Sequence, residues 1–243
     1  MLFRGTTVGA GGWGAIGCWV GLVVATAALG DDVTSSAGTP HAGRWEKEVA
    51  ALEALDRAVT HPGGVAFVGS SNIRLWTALE DDFPGWRVHR RGVGGSHLHE
   101  LAPVALRLVG HSRPAVIVVS AGINDLHAGR SAEQVADGFA AFCTTVRTGL
   151  PRARIVFLAI APSFARWDER DEQARANALV RRFIDETAAG PELGFVDAGR
   201  AYLRPDGLPA PECFVGDGLH PTRVGYARRA AALRPQLEMF LSP

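Results

Sequence analysis

The sequence of 243 residues is poor in cysteine, in lysine and in net charge, and each shortage removes a class of function. Its three cysteines, Cys18, Cys143 and Cys213, are too few and too far apart for a disulfide framework or a Cys-x-x-Cys metal site. Cys143 and Cys213 read as buried or half-buried free thiols. Cys18 follows Ala15-Ile16-Gly17, but the chain stays apolar from Trp19 to Val24, where a lipid-modified protein turns polar. Lys47 is the one lysine, and the 25 Lys and Arg residues balance 25 Asp and Glu residues. No field of one sign therefore steers the chain toward nucleic acid or an anionic surface, and no nucleic-acid partner is expected.

What is present is apolar material, 47% of the residues, enough for one large well-buried domain. Between Arg4 and Asp31 no residue is charged, and residues 15–29 are strongly apolar. Residues 1–30 read as a signal peptide cleaved near Ala28-Leu29-Gly30, or as an uncleaved membrane anchor. Either makes the protein exported or membrane-anchored, with any membrane association running through this segment. The bland alternative is a mis-chosen start codon, which would leave the protein cytoplasmic. Residues 31–43 are small and polar and read as a linker, and residues 44–243 remain as the folded domain. No feature encodes an oligomeric state.

From Arg44 onward helical and strand-like patterns alternate. Trp45, Val49, Leu52, Leu55 and Val59 recur at helical spacing until His61-Pro62-Gly63-Gly64 stops the helix. Strands are expected at residues 65–68, 86–89, 115–119, 155–160 and 195–196. Ser131-x-x-Gln134 makes a capping box ahead of the stripe Val135, Phe139, Phe142, Val146 and Leu150. Further helices fit residues 168–186 and 222–240, the last with Ala230, Leu233 and Leu237 inward. Strands apolar along their whole length must be covered on both faces, and alternation with helices makes the sheet parallel. The expected fold is a three-layer α/β/α, doubly wound arrangement on a mainly five-stranded parallel sheet. Ligands in such folds sit beyond the carboxyl ends of the strands.

Four clusters stand there or near the C-terminus: Gly69-Ser70-Ser71-Asn72, Gly92-Val93-Gly94-Gly95-Ser96, Gly122-Ile123-Asn124-Asp125, and Asp217-Gly218-Leu219-His220-Pro221. A serine hydroxyl attacks only when a base takes its proton, and a helix N-terminus adds N–H groups that can hold an oxyanion. Ser71 meets both needs if His220 reaches it. Asp217, three residues earlier, can accept the other ring N–H of His220. Gly95 offers a backbone N–H and Asn124 a neutral amide as further oxyanion donors. Taken singly, each cluster has a plainer reading as a helix cap, a turn or a surface loop. Taken together, in one order and on one face, they point to acyl transfer.

These residues resemble the four blocks of the SGNH hydrolases, also called the GDSL esterase family, over most of the chain from about Trp45. The resemblance implies a flavodoxin-like SGNH fold, an acyl-serine intermediate with no metal or organic cofactor, and a small-molecule ester as substrate. Ser71 is the implied nucleophile, His220 the base, Asp217 its partner, and Gly95 and Asn124 the oxyanion donors. Ser70 stands where the family name has aspartate, which adds a second candidate nucleophile; alignment on Gly69 selects Ser71. Gly94 stays open beside Gly95, which is favoured because it directly precedes the polar Ser96. The segment Ala161–Trp167 is a candidate wall of the pocket, with Phe164 and Trp167 equally readable as packing residues. No long insertion roofs a deep lipid site, so a small acyl group such as acetate is favoured. An acyltransferase to a sugar hydroxyl and a catalytically silent binding module with the same fold are the alternatives.

Overall fold

The computed structural model describes residues 43–187 and 193–242. The segment 1–30 read as signal or anchor, Cys18 with it, and all of the linker except Gly43 lie outside them. Strands β1 (Val65–Gly69), β2 (Val88–Gly92), β3 (Val116–Ser120), β4 (Arg154–Leu158) and β5 (Leu193–Val196) form one parallel sheet in the order β2-β1-β3-β4-β5. The chain runs from β1 to one edge, returns past it to β3, and continues to the other edge. The helices are α1 (Glu46–Arg57), α2 (Ser71–Arg74), α3 (Leu79–Asp82), α4 (Leu98–Leu101), α5 (Ala105–Val109), α6 (Ile123–His127), α7 (Ala132–Gly149), α8 (Arg170–Glu186) and α9 (Arg223–Leu241).

Period-two alternation sends successive residues of each central strand into different cores. Ala66, Val68, Ile117 and Val119 join side chains from α1, α4, α5, α7 and α8. Val65, Phe67, Val116 and Val118 join α2, α3 and α9. A sheet apolar on both faces is thus covered on both, which is the three-layer α/β/α class expected. Each fully buried aliphatic or aromatic side chain contributes roughly 1.5–3 kcal/mol of transfer free energy, so these two layers dominate stability.

Several element ends differ from the sequence reading, each for a local reason. The second strand was expected at 86–89 and lies at Val88–Gly92, because two of its residues are arginines. Arg90 is exposed and Arg91 is buried against Asp56, its Nη2 3.3 Å from Oδ1. The fourth strand stops at Leu158 rather than Ile160. The Asn177 side chain takes over the backbone of Ile160, accepting from its N–H and donating to its carbonyl, both at 2.9 Å. The helix expected from residue 168 begins at Arg170, after a 3-10 turn over Phe164–Glu169. In α1, Leu55 points outward and is 58% exposed, and the neighbouring Asp56 takes the inward position to reach Arg91. Ala230, Leu233 and Leu237 are buried as expected.

The capping box forms as read: Ser131 Oγ accepts from the Gln134 N–H at 3.3 Å and Gln134 Oε1 from the Ser131 N–H at 3.0 Å. Ser131→Ala should therefore lower the unfolding free energy by about 1 kcal/mol. Urea denaturation measures this, with kcat per folded molecule expected to stay at the wild-type value.

Candidate active site

The sheet positions the first candidate by steric exclusion. β1 ends at Gly69, where a Cβ would collide with the Ser120 carbonyl, and β2 ends at Gly92, where one would collide with the backbone of Arg74. Two strand ends without side chains let the short helix α2 settle into the crevice between them. Ser71 is the first residue of α2, so its N–H has no partner within the helix. Ser70, the competing serine, is buried beneath it, with its N–H donating to the Ser120 carbonyl at 3.2 Å.

Ser71 is half-buried, and its Oγ lies 2.9 Å from Nε2 of His220, a residue 149 positions further along the chain. The other ring nitrogen, Nδ1, is 2.6 Å from Asp217 Oδ2. Gly218, at φ +66°, makes the left-handed turn that brings Asp217 and His220 together. Asp217 Oδ1 also accepts from the backbone N–H groups of Leu219 and His220, at 2.9 and 3.0 Å. Burial raises the Asp217 pKa, but the His220 ring and these backbone donors outweigh it and bring the carboxyl to about 2. The carboxylate therefore stays ionised at neutral pH and holds Nδ1 as the protonated nitrogen. That leaves Nε2 free to accept the Ser71 proton.

Beside this chain of hydrogen bonds the two glycines differ. The Gly94 N–H donates to the Glu48 carboxylate, at 3.2 Å to each oxygen. Gly95, at φ +73°, has no such partner among the described residues, so its N–H is the one left available. Asn124 Nδ2 donates one hydrogen to the Ser96 carbonyl at 3.1 Å and keeps its second for another acceptor. Ser71, His220 and Asp217 are thus brought together, with Asn124 tied to the Gly95 loop.

Other positioning residues had no role assigned from sequence. Asp125 is fully buried and accepts the Leu98 N–H on both oxygens at 3.1 Å, tying the Asn124 helix to the loop after Gly95. Burial pushes its pKa up, against the opposing effects of the Leu98 N–H and the neighbouring His97 and His99. Tyr226 donates its hydroxyl to the Asn72 carbonyl at 3.0 Å and stacks on Trp76, anchoring α2 from α9. Glu48 had no signal beyond membership of an amphipathic helix. In the segment proposed as a wall, Phe164 packs edge-on to Phe214 and the Ala165 N–H donates to the Gly218 carbonyl at 3.0 Å. The segment braces the Asp217 turn, and Trp167 instead sits under Arg170.

Among the described residues, His97, His99 and Glu100 are the one grouping with metal-ligand chemistry. The two imidazoles stack at 13° with centroids 5.3 Å apart, so their lone pairs run in parallel planes rather than converging. Glu100 Oε2 already accepts the His97 N–H at 2.9 Å. No helix among the described residues is long and apolar enough to cross a membrane.

The sequence profile of the GDSL-like lipase/acylhydrolase family matches residues 28–228. The Bos taurus platelet-activating factor acetylhydrolase IB subunit alpha1 is 32% identical over 183 residues, covering 73% of this chain and 76% of that one. A solved chain from Streptococcus pneumonia superposes with a TM-score of 0.71 at 18% identity, covering 80% of this chain and 93% of that one. A GDSL-like lipase from Bacteroides thetaiotaomicron superposes with a TM-score of 0.64 at 19% identity, covering 82% and 98%. The two structures share the fold.

The lowered Asp217 pKa has a measurable sign. A carboxyl depressed from 3.8 to about 2 adds stability that is fully present above its unfolded value and is lost as pH falls through about 2. The stability difference between wild type and Asp217→Asn should be flat above about pH 5 and shrink from about pH 4 toward pH 2. The effect is modest because the side chain is half exposed. Urea unfolding at stepped pH measures it, and a difference that grows on acidification would contradict the assignment.

Proposed function

The chain belongs to the GDSL-like lipase/acylhydrolase family, and from that premise we propose that this ester hydrolase cleaves a short-chain carboxylic ester through an acyl-serine on Ser71. The observation that carries the reading is the unbroken hydrogen-bond chain from Ser71 Oγ through His220 to Asp217. On this reading His220 Nε2 takes the Ser71 proton as Oγ attacks the ester carbonyl, and the carbonyl oxygen becomes an oxyanion. The N–H groups of Ser71 and Gly95 and the free amide hydrogen of Asn124 stabilise it in the transition state. Collapse breaks the bond to the alkoxy group, which leaves with the proton from His220. Water, deprotonated in turn by His220, then releases the acid and restores Ser71.

The bovine relative is by name an acetylhydrolase, which supports a two-carbon acyl group here. The half-buried nucleophile, reached without crossing a roofing insertion, agrees with a small substrate.

Labelling with a fluorophosphonate followed by peptide mapping tests the nucleophile. The label is expected on Ser71; a label on Ser70, or none in a preparation that hydrolyses an aryl acetate, would overturn the assignment. Ser71→Ala should lower kcat by about three orders of magnitude or more, while Ser70→Ala should keep most of it. Asn124→Ala should lower kcat by roughly two to three orders of magnitude with little change in KM, because its donor meets charge that exists only in the transition state. A destabilised but fully active Asn124→Ala enzyme would remove that residue from the oxyanion site.

A further inference from the structure

Beneath the turn that carries Ser71, between the carboxyl ends of β3 and β4 and the start of α9, lies a cavity of about 20 Å³. That is room for one water or a monoatomic ion. Its wall is unusually polar for an interior: Ser70, Asn72, Ser163, Tyr202 and Arg229 all face it. Arg229 is 3% exposed, and Ser163 and Tyr202 are each 1% exposed. Within the protein, Arg229 Nη1, Ser163 Oγ, the Tyr202 hydroxyl and Asn72 Oδ1 have no hydrogen-bond partner. Buried polar groups are almost always satisfied, so four with no partner in the protein around one cavity mark a site built for a polar or charged ligand.

The balance of donors and charge says what kind. Arg229 forms no ion pair among the described residues. The aromatic rings of Tyr202, Trp76 and Tyr226 surround its guanidinium, with centroids 5.2, 5.9 and 5.9 Å away. Ring faces attract the charge but cannot accept all of the in-plane N–H bonds. Burial pushes the Tyr202 phenol up against the opposing pull of the adjacent Arg229 guanidinium, so it stays protonated and keeps its own O–H to donate. The wall therefore offers the guanidinium and the hydroxyls of Ser70, Ser120, Ser163 and Tyr202 as donors, against one amide that can present either edge. A water can accept from about two of these donors and donate to the hydroxyl oxygens or Asn72 Oδ1, but it leaves the buried guanidinium without a counter-charge. An anion accepts from all of them and neutralises the buried charge.

We propose that this cavity is a binding site for a small monovalent anion, held by Arg229, Ser163 and Tyr202 directly below the Ser70–Asn72 turn. Chloride from the medium has this size and charge, whereas the short carboxylate that the proposed hydrolysis releases exceeds the volume. The site itself does not depend on the hydrolytic reading.

The test is thermal unfolding of the full chain at constant ionic strength, with sodium gluconate replaced stepwise by sodium chloride and, as a control arm, by sodium acetate, which is too large for the cavity. A saturable rise in Tm of a few degrees is expected. The rise is expected in the chloride arm and not in the acetate arm. Arg229→Gln should abolish the rise. If that variant does not fold, Ser163→Ala and Tyr202→Phe, which each remove one donor, should raise the midpoint concentration several-fold. Arg182→Gln, an exposed cation on α8, should leave it unchanged. Crystals soaked in bromide should show an anomalous peak beside Arg229. No saturable rise with chloride, an equal rise with acetate, or a rise of equal size and midpoint in the Arg229, Ser163 and Tyr202 variants, would overturn the proposal. Because Tm is read without substrate, failure here is separable from loss of ester hydrolysis.

Discussion

β1 is hydrogen-bonded on both sides, to β2 and to β3, and that double pairing fixes where three loops leave the sheet. Gly69 is level with Gly92 on one neighbour and with Ser120 on the other. Adjacent strands lie about 4.8 Å apart, so the turns that carry Ser71, Gly95 and Asn124 emerge side by side. Reversal of the winding direction between β1 and β3 opens a crevice at this point rather than covering it with a crossover helix. With glycine at two of the three strand ends, α2 can sink into that crevice, and Ser71 faces outward while Ser70 is driven into the interior.

The arrangement is held by polar groups that are costly to bury alone. Arg91 and Asp56 are both buried, and Asp56 also accepts the backbone N–H groups of His111 and Ser112 at 2.8 and 3.2 Å. Breaking such a pair from one side leaves an uncompensated charge, at a cost of roughly 3–5 kcal/mol. The pair ties α1 to β2 and to the end of α5, the same assembly that aims Glu48 at Gly94. Asp125 does similar work between α6 and α4. These contacts specify which glycine N–H remains available, since Glu48 occupies that of Gly94 and leaves that of Gly95 open.

The C-terminal quarter completes the site from the other core. Its turn delivers His220 and Asp217, and α9 follows at once, capped by Thr222, whose Oγ1 accepts the Gly225 N–H at 3.2 Å. One helical face then carries Tyr226 to the Asn72 carbonyl and Arg229 to the cavity below it. The helix that packs one face of the sheet therefore also fixes His220 opposite Ser71. Packing and site geometry share the same residues, so α9 cannot shift without moving both.

The sequence by itself determined the fold class and the candidate cluster. Unbroken apolar runs such as Val116–Val119 demand cover on both faces, and Ser131 with Gln134 announces its helix, because periodicity and capping are local properties of the chain. The strand ends also told where Ser71, Gly95 and Asn124 would stand. What only the tertiary structure decided rests on side chains far apart in sequence. Arg91 reads as a surface residue until Asp56 neutralises it, and so the second strand lies further along the chain than its apolar pattern predicts. Leu55 reads as core until Asp56 takes its side of the helix. Glu48, Asp125, Tyr226 and Arg229 carry no local signal, since a charged or phenolic side chain looks the same in sequence whether it meets water or a buried partner. Burial and pairing are set by where distant elements meet, and hydrophobic periodicity records the face a residue lies on but not the polar atom waiting opposite it.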